Sequence, residues 1–232
     1  MIQEDLFKER QTLPHGLVYT PEFVSASEAE QLQAAIVQLP FREARFQQYY
    51  ARRRVVHFHP PGRCETPAYD DDSFSQVMPP FIAALQDKVA AALGIDASRF
   101  IHALVSEYKP GTPIGWHRDK PAYGIVVGLS LAGWGRMRFR PIDHPHDRSA
   151  MVLLNLAPRS LYVMQGAIRW GWQHSLMPTR ALRYSITFRT SADEGGGHIS
   201  VAPDTEAEAR VAPLLTAGGF AAHHLQDGSG DV

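Results

Sequence analysis

The chain has 232 residues, with 23 Lys and Arg against 24 Asp and Glu, a formal net charge of −1 at pH 7. A chain of this size buries about 70 % of the surface its unfolded form exposes, so size alone calls for no disulfide or metal staple. A hydrophobic fraction of 44 % excludes a disordered or fibrous chain, and the neutral balance excludes a nucleic-acid binder that is basic all over.

Two stretches of the N-terminal part carry helical period. In VSASEAEQLQAAIVQLP, Ser25 and Glu28 fit a capping box, Leu32, Ile36 and Leu39 repeat on one face, and Pro40 stops the run. In PPFIAALQDKVAAALG, Pro80 fits the first helical position and Gly94 the C-terminal cap. Phe81, Leu85, Val89 and Leu93 give that helix its predicted apolar stripe. Between them FQQYYARRRVVHF reads as a further strand or hairpin. The opening residues, MIQEDLFKERQTLP, lack the apolar centre of a signal peptide. No apolar run approaches the roughly 18 residues of a membrane span. A soluble, cytoplasmic protein is expected, and a monomer. Cys64 is the only cysteine, so no intrachain disulfide forms.

From residue 100 the character changes to strands: 100–108, 124–132, 136–140, 151–156, 160–164 and 182–190, each β-branched or alternating and bounded by Gly, Pro or Asp. Short strands at regular spacing predict a sandwich or jelly-roll barrel rather than βαβ units. After Ser191 the composition becomes EGGGH, an Ala/Glu run and DGSGDV, which predicts a flexible tail with one short helix near 204–212.

The chemistry begins at His117-Arg118-Asp119. Two residues apart on extended chain, the imidazole and the carboxylate emerge on one side and suit adjacent positions on one metal ion, although a solvated loop explains such a triplet equally well. A second imidazole stands 57 residues on, His174 in RWGWQHSLMP. Two histidines and a carboxylate leave three positions open on non-haem iron(II). In the last strand Arg183, Ser185, Thr187 and Arg189 share one face. Such a face is ordinarily solvated; alternatively, its two arginines grip the two ends of a five-carbon dicarboxylic acid through charge-assisted bonds.

In this order the motifs resemble the AlkB-like Fe(II)/2-oxoglutarate dioxygenases. The resemblance covers roughly residues 95–190: SEYKPG at 106–111, IGWHRD at 114–119, LSL at 129–131, QHS at 173–175 and RYSITFR at 183–189. It implies a mainly β fold with flanking helices (α+β), a double-stranded β-helix core over 95–190 with N-terminal helices packed on it. Residues 1–94 would be an extension carrying a nucleotide-recognition lid, 1–190 one compact domain, and 191–232 the tail. It implies that His117, Asp119 and His174 hold iron(II), that Arg183 with the Tyr108 hydroxyl binds the far carboxylate of 2-oxoglutarate, and that Arg189 binds the nearer one. Ser106 and Ser185 stand where the family usually has Asn. The implied reaction uses O₂, releases succinate and CO₂, and hydroxylates a C–H bond. On an N-methyl base the product falls apart to formaldehyde and the bare base.

Many members act on alkylated bases in DNA or RNA. Of the 23 basic residues 19 are Arg, an excess that coding bias also explains, but the distribution is uneven. Residues 42–63 hold six arginines (Arg42, Arg45, Arg52, Arg53, Arg54, Arg63) against Glu43. Phe46, Tyr49, Tyr50 and Phe58 lie among them, a texture suited to gripping phosphates and stacking bases. Arg52, Arg53, Arg54, Tyr49, Tyr50, Phe58 and Trp116 are thus the expected substrate contacts, with DNA the expected partner and RNA or a protein side chain the alternative. Arg136, Arg138 and Arg140 alternate on a second strand, where a solvated face explains them equally well. Several base-demethylating relatives place an acid two positions after the metal Asp; here Pro121 stands there, which weakens the expectation for 1-methyladenine or 3-methylcytosine and leaves etheno adducts. His57-Phe58-His59 and His144-Pro145-His146-Asp147 have metal-like spacing without a placed third ligand, and read as loop or lid histidines.

Overall fold

The computed structural model describes residues 13–46, 49–60 and 75–192. The chain divides into two compact units, Met1–Ala202 and Pro203–Val232; the second lies outside the described residues, as do the expected helix near 204–212, Arg63 and Cys64.

The elements run β1 (Leu17–Thr20), α1 (Ala26–Ile36), β2 (Arg42–Phe46), β3 (Tyr49–His59), β4 (Gln76–Val77) and α2 (Pro80–Leu93). They continue, after a 3₁₀ turn at Ala97–Arg99, with β5 (Phe100–Tyr108), β6 (Ile114–His117), β7 (Tyr123–Leu131), β8 (Gly135–Pro141), β9 (Val152–Leu156) and β10 (Leu161–Met164). Last come α3 (Gly166–Gly171), β11 (Trp172–Leu176) and β12 (Arg183–Ser191). Seven strands lie in the order β1-β10-β7-β12-β5-β3-β2, with β4 added beside β3; a second sheet has the order β6-β11-β8-β9. Two sheets with these crossovers make the jelly roll that the strand spacing predicts. Among the described residues no helix is long and apolar enough to cross a membrane.

Both helices start where the local signals placed them, but α1 ends at Ile36 with Val37 as its cap, short of the expected Leu39 and the Pro40 stop. Ser25 Oγ accepts from the Glu28 N–H at 3.1 Å, and the Glu28 carboxylate accepts from the Ser25 N–H at 2.8 Å, closing the capping box. Gly94 ends α2 at φ 65°, a left-handed turn that costs glycine nothing. The buried face of α2 is broader than predicted: Ile82, Leu85, Gln86, Val89, Ala90 and Leu93 are buried, and Phe81 is only partly covered.

The long sheet is buried on both faces. Ile36 and the α2 residues pack on Val56, Phe58, Phe100, Val105, Val127, Leu129, Ile186 and Phe188 on one side. On the other, Tyr108, Val126, Tyr162 and Met164 meet Met137, Phe139, Leu154, Leu156 and Leu176 of the short sheet. This double covering settles the alternative left open for β12. Tyr184, Ile186 and Phe188 face the helices, while Arg183, Ser185 and Thr187 are also buried, on the inner face between the sheets. The polar face of β12 is not solvated. Phe58 is 1 % exposed within the helix-side core; it supports the fold, and its expected stacking on a base is overturned.

Candidate active site

Strand register assembles the site. On β6 and β11, His117 and His174 are direct cross-strand partners, which sets their rings 4.2 Å apart. Asp119 follows β6 by two residues, and its Oδ2 lies 3.5 Å from His174 Nε2. Opposite, β12 pairs with β5 so that Arg183 faces Tyr108, Ser185 faces Ser106, Thr187 faces Leu104 and Arg189 faces His102. The sheets enclose a cleft of about 480 Å³, counting its mouth. Its walls include all five of His117, Asp119, His174, Arg183 and Arg189, with Tyr108, Ser106, Ser185 and Arg53.

Several polar groups are oriented by a neighbour. His117 Nδ1 donates to the Gly115 carbonyl at 2.9 Å, leaving Nε2 with a free lone pair, the second bond that a metal-binding imidazole ordinarily makes. Burial lowers His117 and pushes His174 down to about 3, so both rings are neutral near pH 7. Burial is the largest single influence on Asp119 and opposes its charge, but the neighbouring groups together, Arg189 foremost, hold the carboxyl well below its usual range. Arg189 donates to Asp119 Oδ1 from Nε at 3.0 Å, with Nη2 also at 3.0 Å. Among the described residues no three His, Cys, Asp or Glu side chains are closed into a metal cage. One Asp119 oxygen is drawn to Arg189 and the other faces His174. Two neutral imidazoles and one carboxylate nonetheless form a donor set that fits a divalent iron ion.

Arg183 is 2 % exposed. It lies over the Tyr108 ring at 5.1 Å and donates from Nε to Ser130 Oγ at 3.0 Å. No carboxylate pairs with it among the described residues, so a buried cation is held at the end of the cleft with its terminal nitrogens in need of an anion.

The expected substrate contacts divide. Arg53 lines the cleft. Arg52 is exposed and outside the lining. Arg54 donates from Nε and Nη2 to both oxygens of buried Glu107, at 2.7 and 2.8 Å; its charge is spent within the fold, and its expected phosphate contact is corrected. Trp116 does not line the cleft. Its ring carries the guanidinium groups of Arg138 and Arg140, at 4.9 and 4.3 Å. The side chains of Tyr49 and Tyr50, at the start of β3, lie outside the described residues.

Sequence reasoning missed several groups. His102 stands between His57 and Arg189, at 3.1 and 3.3 Å, and stacks on Tyr123. Alternation could have found it, because His102, Leu104, Ser106 and Tyr108 share one face of β5. Arg169, buried on α3, donates to the carbonyls of Lys120, Tyr123 and Gly124 at 2.6, 2.6 and 3.0 Å, fixing the loop after Asp119. Tyr162 closes the cleft beside Arg183, and burial raises its phenol to about 12. Neither Arg169 nor Tyr162 sits in a local pattern that marks it.

The fold and the donor set together define a class, the jelly-roll dioxygenases that combine a metal with a dicarboxylate cosubstrate. The model of the 2OG-Fe(II) oxygenase superfamily matches residues 16–189, and the chain belongs to that superfamily, whose members use Fe(II), 2-oxoglutarate and O₂. Within it the chain is AlkB-like. It is 27 % identical over 183 residues to an "Alkylated DNA repair protein ALKBH8 homolog" of Arabidopsis thaliana, covering 68 % of this chain and 50 % of that one. It is 30 % identical over 158 residues to the "DNA oxidative demethylase ALKBH2" of Bos taurus, 62 % of this chain and 51 % of that one. To the "tRNA (carboxymethyluridine(34)-5-O)-methyltransferase ALKBH8" of Mus musculus it is 26 % identical over 174 residues, 73 % and 25 % of the two chains. The chain therefore spans about half the length of these relatives or less. A solved structure described as OsALKBH1 superposes with a TM-score of 0.59 at 14 % identity, over 78 % of this chain and all of that one, a likeness of fold.

Proposed function

We propose that this dioxygenase removes alkyl groups, N-methyl or etheno, from DNA bases by oxidative dealkylation. The observation that carries the reading is the convergence of His117, Asp119, His174, Arg183 and Arg189 on one cleft. In this proposal His117, Asp119 and His174 hold iron(II). Arg183 and the Tyr108 hydroxyl would take the far carboxylate of 2-oxoglutarate, with Ser106 and Ser185 in the same cleft lining. Arg189, already paired with Asp119, orients that carboxylate and accepts the nearer end of the cosubstrate. Bound iron(II) supplies the activation of O₂ and the oxidation of the substrate C–H bond. The protein supplies position and exclusion of water: Leu104, Val126, Met137 and Leu176 wall the cleft, and Arg169 fixes the loop that follows Asp119. Arg53, on the strand beside β5 and in the cleft lining, would meet the phosphate of an inserted nucleotide.

A DNA relative and a tRNA relative both appear among the curated matches, so RNA is the second reading. Incubation with matched methylated and etheno-adducted oligonucleotides of both kinds, followed by base mass, distinguishes them. Adduct loss from DNA is the expected result. Faster loss from RNA moves the substrate to RNA, and no loss from either, while succinate forms, overturns the nucleic-acid reading.

A further inference from the structure

The short sheet has a second polar face, on the side away from the cleft. On β8 the inward residues Gly135, Met137 and Phe139 are buried, and Arg136, Arg138 and Arg140 alternate outward, half-exposed. Each is tethered through the same atom to a neighbouring strand. Arg136 Nε donates to Asn155 Oδ1 on β9 at 3.2 Å, Arg138 Nε to Ser175 Oγ at 3.0 Å and Arg140 Nε to Gln173 Oε1 at 2.9 Å on β11. Arg140 Nη1 also donates to the Pro145 carbonyl at 3.3 Å. Trp116 on β6 adds an aromatic platform under Arg138 and Arg140. The other terminal nitrogens have no acceptor among the described residues, and none of the three arginines pairs with a carboxylate there. In the loop beyond β8, Asp147 is engaged by the Ser149 N–H and hydroxyl at 2.8 and 2.6 Å, while Asp143, His144, His146 and Arg148 are exposed.

A surface arginine that only needs solvation keeps its rotamer freedom, whereas these three have lost it. Each guanidinium is fixed at Nε, so the Nη forks of Arg136 and Arg138, and Nη2 of Arg140, are preorganised to receive an anion. Alternate residues on a strand lie about 6.8 Å apart, comparable to the step between successive phosphates of an extended nucleic-acid strand.

We propose that the outer face of the short sheet is a docking surface for the phosphate backbone of the nucleic acid whose target base enters the cleft, with Arg136, Arg138 and Arg140 each taking one phosphate. The inference rests on the nucleic-acid reading given above. Gln173 and Ser175, which hold two of the arginines, flank His174 on β11, so the tracks for backbone and base lie on opposite faces of one strand. Cleft and docking face then meet the same molecule at two places, and longer substrates bind more tightly than short ones.

The test is fluorescence anisotropy of an unmodified labelled oligonucleotide on the full chain across a salt series, with thermal unfolding as the check of fold. Three lost phosphate contacts to single-stranded DNA lower the steepness of log K against log salt by about 2, and a single loss by about 0.7. The triple Arg→Gln variant is expected to show the first change and each single variant the second. Arg138→Lys keeps its charge and the slope but binds more weakly, having lost the fork. Arg180→Gln, in an exposed loop, changes neither. If the triple variant does not fold, the single variants decide. Variants that bind with wild-type affinity and slope, where the wild type binds, overturn the docking face alone. A wild type that binds no oligonucleotide at any salt overturns the nucleic-acid reading and this inference with it.

Discussion

Gly135→Ala should disturb the proposed cosubstrate clamp without replacing a charged residue. A Cβ at Gly135 would stand 2.7 Å from Arg183 Nε and 3.2 Å from its Cδ and Cζ. The contact has to open to the 3.4 Å at which ordinary packing begins, and Arg183 cannot swing clear. It is 2 % exposed, bonded to Ser130 and stacked on Tyr108. The guanidinium must therefore leave Ser130 or the position that receives the carboxylate. A hydrogen bond to a charged group is worth about 1.5–3 kcal/mol, and 1.4 kcal/mol is tenfold in affinity. The KM for 2-oxoglutarate should rise by about 10- to 100-fold, with a stability cost of about 1–3 kcal/mol for overpacking. Succinate release followed across a 2-oxoglutarate series measures it. Gly171→Ala serves as control, since a Cβ there meets nothing within 4 Å. A folded Gly135→Ala enzyme with an unchanged KM for 2-oxoglutarate would refute the assignment of Arg183.

Phe58→Ala should cost about 3–5 kcal/mol, seen as a lowered midpoint of thermal unfolding; an unchanged midpoint with weakened nucleic-acid binding would restore it as a stacking residue. Arg54→Ala leaves the Glu107 carboxylate buried and unpaired. Because the Arg54 side chain is 39 % exposed, the expected loss in chemical unfolding is about 1–2 kcal/mol, below that of a fully buried pair. Ser25→Ala opens the capping box and should cost about 1 kcal/mol in the same measurement.

The parts of this fold that carry a strong local signal were legible in the sequence. The capping box and the proline–glycine brackets of the two helices need only neighbours in the chain. The 100–108 strand was placed to the residue because Phe100, Ile101, Val105 and Tyr108 favour β structure and Pro110 closes the run. The strands that hold the metal-ligand candidates were harder: β6 is four residues with a glycine, and β11 is WQHSL, without a β-branched residue. Their existence depends on pairing with each other and with β8, which is tertiary information. For the same reason local texture misjudged the arginine-rich hairpin. Its alternation makes one face apolar, and Phe58 lies on the face that α2 covers. Glu107, which takes up Arg54, is 53 residues away in the chain. Motif order pointed to the cleft residues, and alternation along β5 marks His102, whereas Arg169 and Tyr162 became visible only when the sheets were brought together.

In the proposed reaction this cleft couples 2-oxoglutarate oxidation to dealkylation of a nucleic-acid base. The most direct measurement quantifies succinate and restored base in one reaction of the iron-loaded chain with 2-oxoglutarate and an alkylated DNA oligonucleotide. The two should rise together, and both should vanish in His117→Ala. An iron-loaded wild-type protein that forms no succinate, or one that forms it while no alkylated base changes mass, would contradict it.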